Sequence, residues 1–206
     1  MRSILPSVGA VALCLVAGSA FANSTGISGR SGKEGVSCAT CHTAGAAAPT
    51  VTLEGPAALT AGQTGNYALI ITGGPGVKAG FNVATGGVDG ATLTAGAGSK
   101  LVNGELTHSL PKAFVNGAPV RFDFTLVAPA TNGTLKVFGA GNSVNGDNEK
   151  TGDAHANATL DVVITGGKDP VTPGEEDEGG CSATSGAPLV MGAVLALLAA
   201  RRRRAG

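Results

Sequence analysis

Between residues 51 and 165, apolar and polar positions alternate with a period of two. That is the pattern of strands with one buried and one wet face. Val51 and Leu53 alternate with threonines. Tyr67, Leu69 and Ile71 line one face of the next run, and Phe81 and Val83 form a third. The cleanest run sets Phe122, Phe124 and Leu126 between Arg121, Asp123 and Thr125. Leu135 with Val137, and then Leu160, Val162 and Ile164, continue the series. No amphipathic helix of three turns interrupts it. Asn103-Gly104, Asn116-Gly117, Asn132-Gly133 and Asn145-Gly146 punctuate the runs, and Asn-Gly supplies the positive φ angles that tight hairpins need. Seven to nine short strands over about 115 residues predict an all-β, immunoglobulin-like sandwich. This length is enough to bury one core. The alternation begins only at Val51, so the core is expected to form without the residues before it.

Both ends of the chain carry a different pattern. Arg2 precedes an apolar run over residues 8–16, and Ala20-Phe21-Ala22 offers small residues for cleavage. This predicts a signal peptide over 1–22, cut after Ala22, and hence export. At the other end an apolar stretch of 14 residues, 187–200, lies between Cys181 and the arginines at 201–204. As a helix it would span roughly 21 Å at about 1.5 Å per residue, short of a hydrocarbon core of about 30 Å. The arginines would hold the extreme C-terminus on the cytoplasmic side. Before it, residues 166–180 hold Pro170, Pro173 and the acidic run Glu175-Glu176-Asp177-Glu178, which reads as a solvated linker.

The formal net charge is zero over 206 residues, but the ends distort it. The exported part, 23–180, carries nine basic and 14 acidic residues, a net of −5. Nucleic acid is therefore not an expected partner, because phosphate binding needs a basic face. The four cysteines do not make a disulfide framework: Cys14 falls in the signal peptide and Cys181 beside the tail.

Cys38 and Cys41 remain, and they read Cys-Ala-Thr-Cys-His with His42. This is the spacing of c-type haem attachment. Two thiols three positions apart can reach the two vinyl groups of one porphyrin, and the adjacent imidazole becomes the proximal iron ligand. A redox dithiol, a local disulfide and a metal site are the alternatives for this pair. The export signal and the following histidine favour haem c, held by Cys38, Cys41 and His42. The segment 23–48 is short and rich in Gly and Ala, so a haem would have to lean on the sandwich or stay largely exposed. Methionine is excluded as sixth ligand, because Met1 and Met191 lie in the two terminal signals. Of the other histidines, His108 alternates with Leu106 and Leu110 and reads as a core residue. His155 follows Gly152-Asp153 in a polar stretch that reads as a loop, and is the preferred distal ligand. Asn142, Asn145, Asp147, Asn148, Glu149 and Asp153 offer hard oxygens, with a possible calcium site at Asp147 and Asp153. Their spacing does not match the twelve-residue calcium loop. No catalytic triad, carboxylate pair or phosphate loop stands out, so no enzyme activity is expected.

Two resemblances refine this reading. Cys181 after glycine, the short apolar stretch and the arginine cluster resemble the myxobacterial C-terminal (MYXO-CTERM) sorting signal. That implies a sorting protease acting near Cys181, lipid-type anchoring there, and display at the outer membrane or cell surface. A retained tail anchor in the inner membrane is the alternative. In the middle, Leu106-Thr107-His108-Ser109, the Phe122 strand, Ala128-Pro129 and Gly133-Thr134-Leu135-Lys136-Val137 resemble the Reeler-type domain. They are closer to bacterial choice-of-anchor surface domains in which a Cys-x-x-Cys-His segment precedes such a sandwich. Those domains share the stretch seen here as Gly141-Asn142, Asn145-Gly146-Asp147 and Gly152-Asp153. The chain lacks the disulfide cysteines of animal Reeler domains.

The organisation expected is a signal peptide (1–22), a haem-attachment segment (23–48), a β-sandwich (49–165), a linker (166–180) and a sorting signal (181–206). The function expected is a surface-anchored module binding one haem for electron transfer or redox sensing. The alternative is a structural or adhesive module in which the Cys pair is a staple. One prediction follows from the tail alone. Mass spectrometry of the protein from its native envelope should find no peptide containing Arg201 and Gly206, and Cys181→Ala should leave the precursor uncut. An intact C-terminus in the mature pool would refute processing.

Overall fold

The computed structural model describes residues 23–44 and 47–170. All of these belong to one compact unit, Met1–Pro170; Val171–Gly206 forms a second, whose residues are not described. The signal peptide with Ala22, most of the linker, Cys181 and the apolar tail therefore lie outside the described residues.

Twelve strands follow one another: β1 (Thr43–Ala44), β2 (Thr50–Glu54), β3 (Ala58–Thr60), β4 (Thr64–Thr72), β5 (Lys78–Gly87), β6 (Thr92–Ala95), β7 (Ser99–Val102), β8 (Glu105–His108), β9 (Lys112–Ala113), β10 (Val120–Val127), β11 (Gly133–Val144) and β12 (Thr151–Thr165). They form two sheets. The smaller has the order β2-β4-β10-β6, and the larger β1-β12-β11-β5-β8-β7, with β3 also on β12 and β9 also on β5. The described residues thus form an all-β, two-sheet sandwich with more strands than the seven to nine expected, because short edge pieces such as β1, β3 and β9 carry too few residues to show a period.

The alternation has the register read from the sequence. Val51 and Leu53, Tyr67, Leu69 and Ile71, and Phe122, Phe124 and Leu126 are buried on the smaller sheet; Phe81, Val83, Leu135, Val137, Val162 and Ile164 face them from the larger. Phe81 stacks on Phe122 with ring centroids 4.2 Å apart, and Tyr67 on Phe124 at 5.7 Å. The sheets approach each other closely at Gly139 and Gly141 on β11. A Cβ there would meet Leu69 at 2.8 Å and Val51 at 2.6 Å, so these glycines are packing residues rather than flexible ones.

The Asn-Gly pairs divide. Asn103 and Gly104 take φ of 49° and 81° and close the two-residue hairpin between β7 and β8, as the dipeptide predicts. Asn132-Gly133 is not a hairpin, since it links β10 of one sheet to β11 of the other. The Asn132 side chain instead donates to Gly167 O and Asp169 Oδ1 and accepts from Gly167 N. The sandwich consequently reaches past residue 165 and takes in the first residues of the expected linker.

The largest departure concerns residues 141–153. The polar stretch there reads as loop, but β11 runs to Val144 and β12 starts at Thr151, pairing Asn142 with His155 and Ser143 with Ala154. Across the outer face of this extension lies the N-terminal segment, which joins the sheet through β1 alongside Thr151 and Asp153 of β12. The segment expected as a separate unit is thereby a cover for one face of the larger sheet.

Phe124 is 2% exposed and contacts both Tyr67 and the core of the sandwich. Phe124→Ala should lower stability by about 3–5 kcal/mol, read from urea unfolding. A loss below about 1 kcal/mol would mean that this face is not the core.

Candidate functional site

The Cys-x-x-Cys-His motif is a single capped turn. Ser37 caps a 3₁₀ turn over Cys38–Thr40, and its Oγ accepts from Ala39 N at 3.4 Å. Cys41 N and His42 N both donate to Cys38 O, at 3.2 and 3.0 Å. In such a turn, positions i and i+3 eclipse, so Cys38 and Cys41 come to the same side, with His42 next to them. Both thiols are free and half-buried.

His42 is held from behind. Its Nδ1–H donates to Asp153 Oδ2 at 2.5 Å; the imidazole is 15% exposed and the carboxylate 1%. Asp153 Oδ1 accepts from Asn145 N at 3.0 Å. With Nδ1 committed, Nε2 is the nitrogen left for another partner. An imidazole bound through one nitrogen to a metal commonly has the other on a carboxylate, which sets the tautomer and raises its basicity.

Cys38, Cys41 and His42 form one wall of a partly open cleft of about 300 Å³. The other wall is β5 and the end of β8, including Gly80, Phe81 and His108. His108 Nδ1 accepts from Phe81 N at 3.3 Å. Its pKa is lowered, first by burial and then by the Lys100 and His42 charges. Burial pushes the Cys38 thiol up to about 12, and Cys41 adds to the rise. A thiol that stays protonated at neutral pH is a poor redox dithiol.

Two polar atoms at the cleft are buried without a partner: Arg30 Nε and Asn142 Oδ1. Two thiols on one turn, a carboxylate-backed imidazole and the unpaired Arg30 Nε at the cleft are the groups that a haem with an anionic edge would need.

His155 is elsewhere. It is a strand residue of β12, not a loop residue, and it does not line the cleft; its Nδ1 is buried without a partner. His155, expected as the distal ligand in a loop, is therefore placed on β12 and apart from Cys38, Cys41 and His42. The sequence placed it by the polar residues around it, and those residues are polar because the N-terminal segment covers them. Asp147 and Asp153, expected as a calcium site, are engaged within the chain. Donors face them: Asn145 N is turned to Asp153, and Asn145 Nδ2 to Asp147 Oδ2 at 2.7 Å. Among the described residues, no three His, Cys, Asp or Glu side chains converge on a metal position.

Glu105 was missed by sequence reasoning. From β8 its carboxylate accepts from Gly29 N at 2.6 Å, Arg30 N at 3.2 Å and Ser31 Oγ at 2.8 Å. Asn82 donates to Ile27 O beside it. These contacts clamp the segment that carries Cys38 and Cys41 onto the sheet. The partners lie about 75 positions apart in sequence, and no local pattern joins them.

No family model matches the chain, and no curated protein matches it in sequence. Among solved structures it is similar to the PKD domain of an M14-like peptidase from a Thermoplasmatales archaeon, at 17% identity over 58% of this chain and 97% of that one, with a TM-score of 0.32. It is also similar to the CARDB domain of a Pyrococcus furiosus protein, solved in complex with di-metal ions, at 15% identity over 57% and 89%, with a TM-score of 0.29. Both are distant likenesses, and the sandwich described here rests on the chain's own strands.

Glu105→Ala removes an acceptor from four donors: Gly29 N, Arg30 N, Ser31 Oγ and Asn82 Nδ2. It should cost about 1.5–3 kcal/mol and speed amide exchange at residues 29–31, as measured by hydrogen–deuterium exchange. Unchanged exchange there would show that the clamp is not what holds the segment.

Proposed function

We propose that this chain is an exported β-sandwich module of the Reeler-like surface type that carries one covalently attached haem c, for electron transfer or redox sensing at the cell envelope. The observation that carries the reading is the His42–Asp153 pair. A turn that presents two thiols and an imidazole to one cleft, with that imidazole backed by a buried carboxylate, is built for a ligand and adds nothing to the sandwich core. Cys38 and Cys41 would form the thioether bonds and His42 Nε2 would face the iron. Asp153 holds the Nδ1 proton, and Arg30 stands at the cleft for a carboxylate. When bound, a haem supplies one-electron redox chemistry that none of these side chains has. On this reading the C-terminal signal places the module at the surface, with a sorting protease acting near Cys181, and the redox partner reaches the open side of the cleft.

One observation favours a second reading, a structural or adhesive surface module without haem. The core closes on apolar side chains from both sheets, and Glu105 already ties the N-terminal segment down, so the fold is complete by itself.

The full chain expressed in a host with c-type maturation separates the two. The expected result is a Soret band, an intact mass raised by one haem, and peroxidase staining that survives denaturation. All three should be lost in Cys38→Ser/Cys41→Ser. A folded wild-type protein with apo mass and no stain would leave the structural module as the function.

A further inference from the structure

Three apolar residues line the cleft without belonging to the core between the sheets: Ile27 of the N-terminal segment, Leu110 beyond β8 and Val144 at the end of β11. Leu110 is 68% exposed and Ile27 39%, and Val144 is half-buried. Each is placed by the backbone around it. Ile27 is held on β5 by Asn82, which donates to its carbonyl. Gly26 before it is pressed on the end of β8, where a Cβ would come within 2.4 Å of His108 O and Thr107 Oγ1. Leu110 lies between Ser109, whose N donates to Gly98 O at 2.9 Å, and Lys112, which pairs with Ala79 of β5. Val144 pairs with Lys78 of β5, and Asn145 N after it donates to the Asp153 carboxylate that holds His42. All three therefore have fixed places in the cleft that Cys38, Cys41 and His42 also line.

We infer that Ile27, Leu110 and Val144 are the seat for the porphyrin ring of the haem, so that the ring leans on the sandwich instead of standing out in solvent. This rests on the haem reading above and goes beyond it, because the motif specifies attachment and one iron ligand and nothing about where the ring lies. Apolar surface stays in water only at a cost, and exposed apolar side chains gathered in a groove mark a binding site. Ligand clefts combine such walls with a few polar anchors. Here the anchors are two thiols and a carboxylate-backed imidazole, and the ligand that they specify has a flat apolar ring. The seat is assembled from the segment, the connection after β8 and the end of β11, so it is complete only with the segment docked on the sheet. The three side chains are positioning residues: they cover part of the ring from water, and the chemistry stays with the thiols and His42.

The test separates the seat from the attachment. The full chain carrying Cys38→Ser/Cys41→Ser is titrated with iron-free protoporphyrin IX, whose binding depends on the ring and not on iron ligation, and porphyrin fluorescence is recorded. Binding should be saturable, and Leu110→Ser in the same background should weaken it about tenfold, the loss expected for this much apolar burial. Leu101→Ser, at a side chain that is 51% exposed on β7 and does not line the cleft, should leave it unchanged. In the full chain matured with haem, the methyl resonances of Leu110 and Ile27 should move under the porphyrin ring current relative to the haem-free protein. No protoporphyrin binding, or equal binding with and without Leu110→Ser, would overturn the inference. So would unmoved methyl resonances beside an attached haem; the haem reading would then stand, and the apolar side chains would be left to a protein partner. A chain that matures without covalent haem would overturn the haem reading, and the protoporphyrin titration would then decide the seat by itself.

Discussion

A carboxylate that is 1% exposed needs hydrogen-bond donors in place of its water, and Asp153 has two: His42 Nδ1 and Asn145 N. The rest of this end of the molecule follows from that arrangement. His42 comes from a segment 111 positions away, so satisfying Asp153 brings the Cys-x-x-Cys-His turn onto β12. Asn145 comes from the β11–β12 connection, so the same carboxylate closes the long hairpin. Removing either donor would leave a buried carboxylate oxygen short of a partner, an expensive state.

The larger sheet consequently has two covered faces of opposite chemistry. One is apolar and packs on the smaller sheet through Phe81, Val83, Leu135, Val137 and Val162. The other bears Asn82, Thr107, Asn142 and Asp153, all buried although polar. A polar face can be buried only if hydrogen bonds replace hydration, and the N-terminal segment supplies them at Ile27, Gly29, Arg30, Ser31 and His42. Where its partners run out, at Arg30 Nε and Asn142 Oδ1, the cleft begins.

This division separates the scaffold from the site. The core between the sheets sets the rigidity of β5, β8 and β12. The cover places Cys38, Cys41 and His42 on those strands at fixed distances. A site made in this way gains its precision from the sheet and its chemistry from the segment, and either can change without remaking the other.

The sequence by itself determined the strand-forming runs, their buried faces and the motif. Alternation at Phe122, Phe124 and Leu126 needs only a local period, and Cys38, Cys41 and His42 need only their spacing to occupy one turn. Asn103-Gly104 likewise set its hairpin through its own backbone preference. The tertiary structure alone decided where the motif docks and what stands opposite it. Glu105, Asp153, Gly80 and His108 lie far from the segment in the chain, and nothing near them marks them as its partners. The same reason explains the misreading of residues 141–153. A strand covered by polar groups on one face has no apolar alternation to show, so Asn142 and His155 read as loop until the covering segment is in place.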